Sequence, residues 1–330
     1  MSESINIQQV PWLLPAWQRL EQQLQNKQLG HAQLFVGQPG LGKRILATLM
    51  AEKVLCLARR NGYACGSCPS CLLLKAGSHP DFLLLEPEEE GKQIKIDQVR
   101  LLSEFVNTTA QRSPVKAVVM GPVEQLNINA ANALLKSLEE PVTQVYLFLY
   151  CHRPSGVLPT IRSRCQQISI APPPFSESLK WLKGMLEHEH AEQALLLAQG
   201  GPLKAIKLLD EQAVVGFMQF CQSLNDIAQG MLRPTEAYAK LKALSGVMVC
   251  DWFYLLALDL LRRKQGGKLE YFAALNQLPL YDLPGKALQR FVDACQQAKS
   301  VIVQPGNANP QLLIENLLID WFRLLRHSQG

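Results

Sequence analysis

Five short aliphatic runs, QLFVG at 33–37, FLLLE at 82–86, KAVVM at 116–120, VYLFLY at 145–150 and QQISI at 166–170, alternate with stretches of helical periodicity. Near-continuous apolar runs belong to strands buried on both faces, and such strands separated by helices need crossover connections. The first half of the chain is therefore expected to be an α/β domain on a five-stranded parallel sheet. Between the runs, IDQVRLLSEFVNTT carries Asp97 as an expected N-cap and Val99, Leu102, Phe105 and Val106 on one face, an amphipathic crossover helix. Pro141 stops the helix NINAANALLKSLEE.

The alternation ends in APPPF, where three consecutive prolines from Pro172 can continue neither a ladder nor a helix, so a boundary is expected there. Residues 1–171 are then one domain. Residues 172–210 read as a small lid of short helices, with Leu179, Leu182 and Leu186 on one face and Pro202 suited to a helical first turn. Residues 211–330, with WFYLLALDLLRR and PQLLIENLLIDWFRLLR, read as an all-α bundle. A length of 330 residues suits two or three domains.

The sequence GQPGLGKR at 37–44 follows a strand run and precedes the helical ILATLMAEKVL. That context lets backbone N–H groups and a helix dipole meet a phosphate, with Gly37, Gly40 and Gly42 shaping the loop and Lys43 reaching the anion. Arg44 stands where a magnesium-binding Ser or Thr belongs, and Gly121-Pro122 close KAVVM where an acidic pair would hold metal and orient water. The loop is expected to hold ATP or ADP, if anything, without turning it over. Arg44 either places a second cation near phosphates or points to solvent.

The cysteines at 56, 65, 68 and 71 give three thiols at two-residue separations and a fourth upstream, the spacing of a four-cysteine zinc site. With all four positions filled by protein, the Zn2+ is expected to be structural; four cysteines suffice without His79, whose expected role is local packing or hydrogen bonding. The N-terminus MSESINIQQV lacks a signal peptide, so a cytoplasmic location with reduced thiols is expected for the nine cysteines. Cys151, Cys165, Cys221, Cys250 and Cys295 lie in apolar contexts and read as inert buried thiols. No run of 18 or more apolar residues offers a membrane span. The net charge of +5 favours approach to DNA only mildly. Arg164, in TIRSRC before the last strand run, reads on its own as a surface salt bridge.

The phosphate loop, the CxxCxxC cluster, NALLKSLEEP at 132–141, SRC at 163–165 and PQLLIENLL together resemble bacterial clamp-loader subunits of the AAA+ class, in order and spacing, over essentially the whole chain. The resemblance implies a P-loop domain with an inserted zinc module held by Cys56, Cys65, Cys68 and Cys71, a helical lid and a helical collar. It also implies that Arg164 acts in trans, pointing into the ATP site of a neighbouring motor subunit, where such an arginine accelerates phosphoryl transfer by roughly 10³ to 10⁵ fold. Lys204, in GGPLKAIK, falls where motor subunits keep a lid arginine that senses the γ-phosphate; a surface lysine on a helix is the alternative. Partners implied are the motor gamma/tau subunits and delta in a five-subunit ring of DNA polymerase III, the sliding clamp and primed DNA, with no membrane.

Active members of that family would show Ser or Thr after the loop lysine, Asp-Glu at the strand end and a polar sensor after the fourth strand. Here those places hold Arg44, Gly121-Pro122 and Cys151-His152, which implies a non-hydrolysing, stator-like member. The alternatives are an active motor subunit, which lacks its Mg2+ ligands here, and a P-loop nucleoside kinase, which leaves the cysteine cluster and helical C-terminus without a role.

Overall fold

In the computed structural model, residues 6–60, 62–89, 92–276, 278, 283–303 and 309–326 are described. The chain divides into two compact units, Met1–Leu182 with Gly200–Lys204, and Lys183–Gln199 with Ala205–Gly330. The first unit contains the sheet. Strands β1 (Ala32–Val36), β2 (Phe82–Leu85), β3 (Lys116–Met120), β4 (Val145–Cys151) and β5 (Gln166–Ser169) lie in the order β2-β3-β4-β1-β5. All pairs are parallel, with Leu34 opposite Leu149 and Gln167, and Val118 opposite Leu83 and Leu147.

Residues one apart on each strand face opposite layers. Leu34, Val118, Leu147 and Leu149 enter a core with α4 (Ile96–Asn107), α5 (Ile128–Glu139) and α6 (Pro159–Arg164), through Val99, Leu102, Leu134, Leu138 and Ile161. Phe35, Val119 and Phe148 enter the other core, which is closed by α1 (Leu14–Gln25) and α2 (Lys43–Leu55) through Trp17, Leu20, Leu46, Met50 and Val54. Helices on both faces explain why β2, β3 and β4 are apolar nearly throughout rather than on alternate residues, while β5 at the sheet edge buries only Ile168. Lys95, not Asp97, is the N-cap of α4. Asp97 lies instead in the first turn, where its carboxylate still favours the positive end of the helix dipole.

Beyond β5, α7 (Phe175–Met185), α8 (Ala191–Leu197) and α9 (Pro202–Asp210) are short, and Pro202 begins α9. Of the three leucines read as one apolar face, Leu182 is buried while Leu186 lies past the end of α7 and is exposed. The C-terminal region is all helical among the described residues: α10 (Ala213–Ala228), α11 (Pro234–Leu241), α12 (Gly246–Lys264), α13 (Gly285–Val303) and α14 (Pro310–Arg326), after α3 (Pro69–Lys75) earlier in the chain. Its centre is aromatic, with the Phe220 and Phe253 rings edge-to-face at 4.8 Å and the Trp321 indole donating to Leu224 O at 3.1 Å. Among the described residues no helix is long and apolar enough to cross a membrane.

Candidate functional site

The loop between β1 and α2 is shaped by its glycines. Gly40 and Gly42 have φ of 80° and 81°, a left-handed backbone that a side chain strains. A Cβ on Gly40 would meet Lys204 Cβ at 2.5 Å, and one on Gly37 would meet Ile170 O at 2.5 Å. Leu203 N–H donates to Gly40 O at 3.1 Å, so the start of α9 is bonded to the loop and Lys204 lies against it. Gly42 caps α2, which directs the helix N-terminus at the loop. Gly37, Gly40, Gly42, Lys43 and Lys204 therefore meet in one place.

Lys43 is buried, and its ammonium donates to Gln38 O at 2.6 Å, within its own loop. Burial lowers its pKa to about 8, against the opposing pull of Cys151 and Glu124. Arg44 is 54% exposed, in keeping with the solvent-facing expectation, and is also ion-paired. Its Nε donates to Glu86 Oε1 at 2.5 Å, just past β2, and the Tyr150 hydroxyl donates to the same oxygen at 2.5 Å. A fixed ion pair thus stands beside the loop lysine at the residue that would supply a metal-binding hydroxyl.

At the end of β3, a Cβ on Gly121 would lie 2.5 Å from Tyr150 O and 2.8 Å from its ring, so no carboxylate fits there unless β4 shifts. The acid that does enter this region is Glu124, on the turn after β3. Its Oε1 accepts from the backbone N–H groups of His152 at 2.8 Å and Arg153 at 3.1 Å, so it fixes the end of β4. Sequence reasoning passed over Glu124, although it is the single acidic residue between Glu104 and Glu139. Cys151 and His152, at the end of β4, are packed rather than free: Cys151 is fully buried, and burial lowers the His152 pKa to about 4, helped by Lys43, Arg153 and Lys204.

A histidine whose folded pKa lies below its unfolded value stabilises the fold fully above that unfolded value, near 6.5. The stability is lost as pH falls from there towards the folded pKa. Stability is accordingly expected to decline from about pH 6.5 to pH 4, with His152 titrating at about 4 in an NMR pH series. An imidazole midpoint at 6.5 would contradict the buried placement.

The second cluster lies where α2 ends. Cys56 follows Leu55, Cys68 caps α3 and Cys71 lies in its first turn. The four Sγ atoms of Cys56, Cys65, Cys68 and Cys71 all lie within 4.8 Å of one another, with Cys56 to Cys68 at 3.9 Å and Cys65 to Cys71 at 4.0 Å. A tetrahedron of thiolates about 2.3 Å from a zinc ion has edges of about 3.8 Å. Backbone N–H groups of Cys65, Cys68 and Cys71 point at Cys56, Cys65 and Cys68 Sγ at 3.2, 3.3 and 3.5 Å, which favours the thiolate form. The amides of Ser67 and Cys68 lower the Cys65 pKa to about 6. The four cysteines are close enough to bind one metal ion.

His79 does not join them. Its Nδ1 accepts from Asp81 N–H at 3.0 Å, so the neutral ring carries its proton on Nε2, 2.8 Å from Ser70 Oγ and 3.3 Å from Ser113 Oγ. Both hydroxyls in turn donate to Leu55 O at 2.8 Å. This buried network ties the end of α2 to α3 and β2, beneath the cysteines. The other five cysteines are buried and free, and burial pushes Cys165 and Cys221 up to about 12, as inert thiols require.

Arg164, the last residue of α6, is apart from both clusters. Its Nη2 pairs with Glu139 Oε1 at 2.6 Å and its Nη1 donates to Thr160 O at 3.0 Å.

Comparison with known proteins extends over most of the chain. The family described as DNA polymerase III, delta subunit, matches residues 14–174, and that described as DNA polymerase III, delta subunit, C terminal, matches residues 217–323. DNA polymerase III subunit delta' of Pseudomonas aeruginosa is 37% identical over 95% of this chain and 97% of its own length. That of Escherichia coli K12 is 30% identical over 94% of each. A crystal structure of a gamma subunit-related protein from Thermotoga maritima superimposes with a TM-score of 0.52 at 18% identity, covering 94% of this chain and 99% of that one, which is a likeness of fold.

Proposed function

The chain belongs to the family of DNA polymerase III delta-prime clamp-loader subunits, and from that premise we propose that it works as a non-hydrolysing, stator-like arm of the loader. In this reading residues 1–171 are a P-loop domain, 172–210 a lid and 211–330 a collar that joins motor gamma/tau and delta subunits in a five-subunit ring. The ring opens the sliding clamp and closes it on primed DNA in the cytoplasm, and Arg164 completes the ATP site of a neighbouring motor subunit. Zn2+ held by Cys56, Cys65, Cys68 and Cys71 is structural, since four protein thiols leave no position for a reacting water. The loop of Gly37, Gly40, Gly42 and Lys43, with Lys204 beside it, is an eroded nucleotide site.

One observation above all supports the absence of hydrolysis: the side chains that would carry Mg2+ are replaced by an Arg44–Glu86 ion pair and by Gly121 pressed against Tyr150. Hydrolysis needs a metal to neutralise charge on the transferred phosphoryl group and a residue to position water. Glu124 gives Oε1 to two backbone amides and keeps Oε2 buried without a hydrogen-bond partner, and this single carboxylate does not replace the missing hydroxyl and acidic pair that would hold Mg2+. The purified chain is therefore expected to show no ATP turnover above background with Mg2+ present. Turnover near that of a motor subunit, or transfer of phosphate to a nucleoside, rejects the reading in favour of the motor or the kinase.

A further inference from the structure

Arg164 is held on two sides by its own chain. Nη2 meets Glu139 Oε1 at 2.6 Å, and Nη1 donates to Thr160 O at 3.0 Å. A guanidinium has five N–H donors, so three stay available for an anion that approaches from outside. The platform beneath is firm: Ile161 and Cys165 on either side of Arg164, and Leu138 beside Glu139, are buried in the same core.

The pair is poorly explained as a device for stability. The side chains are 36% and 47% exposed, a setting in which ion pairs contribute little. Glu139 is also the last residue of α5, where a carboxylate faces the negative end of the helix dipole. What the two bonds do is restrict a long, flexible side chain to one direction. A misplacement of about 1 Å at a reacting centre costs on the order of 100-fold in rate, so an arginine that must reach a phosphate on another chain gains from being aimed beforehand.

We propose that Glu139 is a positioning residue, which with the Thr160 carbonyl aims Arg164 before the neighbouring subunit's nucleotide arrives. The inference rests on the reading of Arg164 as a residue acting in trans. Glu139 touches no reacting atom in this scheme and acts through Arg164 alone. It therefore affects the chemical step and not the affinity of the neighbour for ATP.

The test is a steady-state ATPase assay on the fully assembled loader carrying Glu139→Ala, Glu139→Gln, Arg164→Ala and the Glu139→Ala/Arg164→Ala double variant, with ring assembly checked by gel filtration. Glu139→Ala is expected to lower turnover at the site Arg164 completes about 10-fold at unchanged KM for ATP. Glu139→Gln, which keeps an oxygen acceptor, should stay within about twofold of the parent. The double variant should turn over no more slowly than Arg164→Ala. Parental kcat in Glu139→Ala, or an equal further loss in the Arg164→Ala background, overturns the positioning role while leaving the role of Arg164 standing. Parental turnover in Arg164→Ala overturns that role and this inference with it.

Discussion

Arg164→Ala is expected to leave the assembled ring intact and to lower ATP turnover at the site it completes by roughly 10³-fold or more, the contribution of an arginine finger. In the proposed role the change removes positive charge from a neighbour's phosphoryl group, and it leaves the fold alone because Arg164 projects from α6 at the surface and the pair with Glu139 is half exposed. Its loss costs at most about 1 kcal/mol of stability. Gel filtration of the reconstituted loader and its steady-state ATPase separate the two effects. Undiminished turnover in an assembled ring removes the finger, and failure to assemble moves Arg164 from catalysis to the interface.

Metal removal is expected to have the larger effect on the fold. Freshly purified reduced protein should contain about one zinc per chain, and a strong chelator should lower the unfolding midpoint of the first unit by roughly 10 °C or more. That shift follows from loss of several kcal/mol of metal-linked folding energy, at about 2 to 4 °C for each kcal/mol in a domain of 150 to 250 residues. Cys68→Ser should reproduce the shift, because Cys68 is both a ligand in the proposed site and the N-cap of α3. Atomic absorption and thermal unfolding followed by circular dichroism give the readouts. Metal-free protein with an unshifted midpoint would falsify the zinc site.

The parts of this protein that were legible in its sequence are those whose signal is local. β1 to β4 announced themselves through largely apolar runs of four to seven residues, which helices on both sides of the sheet account for, whereas the edge strand β5, QQIS, is mostly polar. The cysteine cluster was legible because two-residue spacers bring thiols to one point whatever surrounds them. The loop was legible because Gly40 and Gly42 need a left-handed backbone directly before a helix. In each case a period or a spacing of a few residues carries the information.

Other features depended on which distant segments become neighbours. Arg44, Glu86 and Tyr150 are separated by 42 and 64 residues, and they meet because β2, β3, β4 and β1 lie side by side with their C-terminal ends aligned. Glu124 became a brace for β4 through a turn that no motif marks. His79 stays apart from the four cysteines because Ser70, Ser113 and the Asp81 amide satisfy both its nitrogens in a buried network.

The sequence by itself determined a parallel α/β domain, a cluster of four thiols and a glycine-shaped loop leading into a helix, because residue type and short spacing decide backbone conformation and which side chains meet. Only the tertiary structure decided the partners of the charges: Lys43 on Gln38 O, Arg44 on Glu86 and Arg164 on Glu139. A long cationic side chain has many rotamers and many acceptors within reach, and burial together with strand order selects among them.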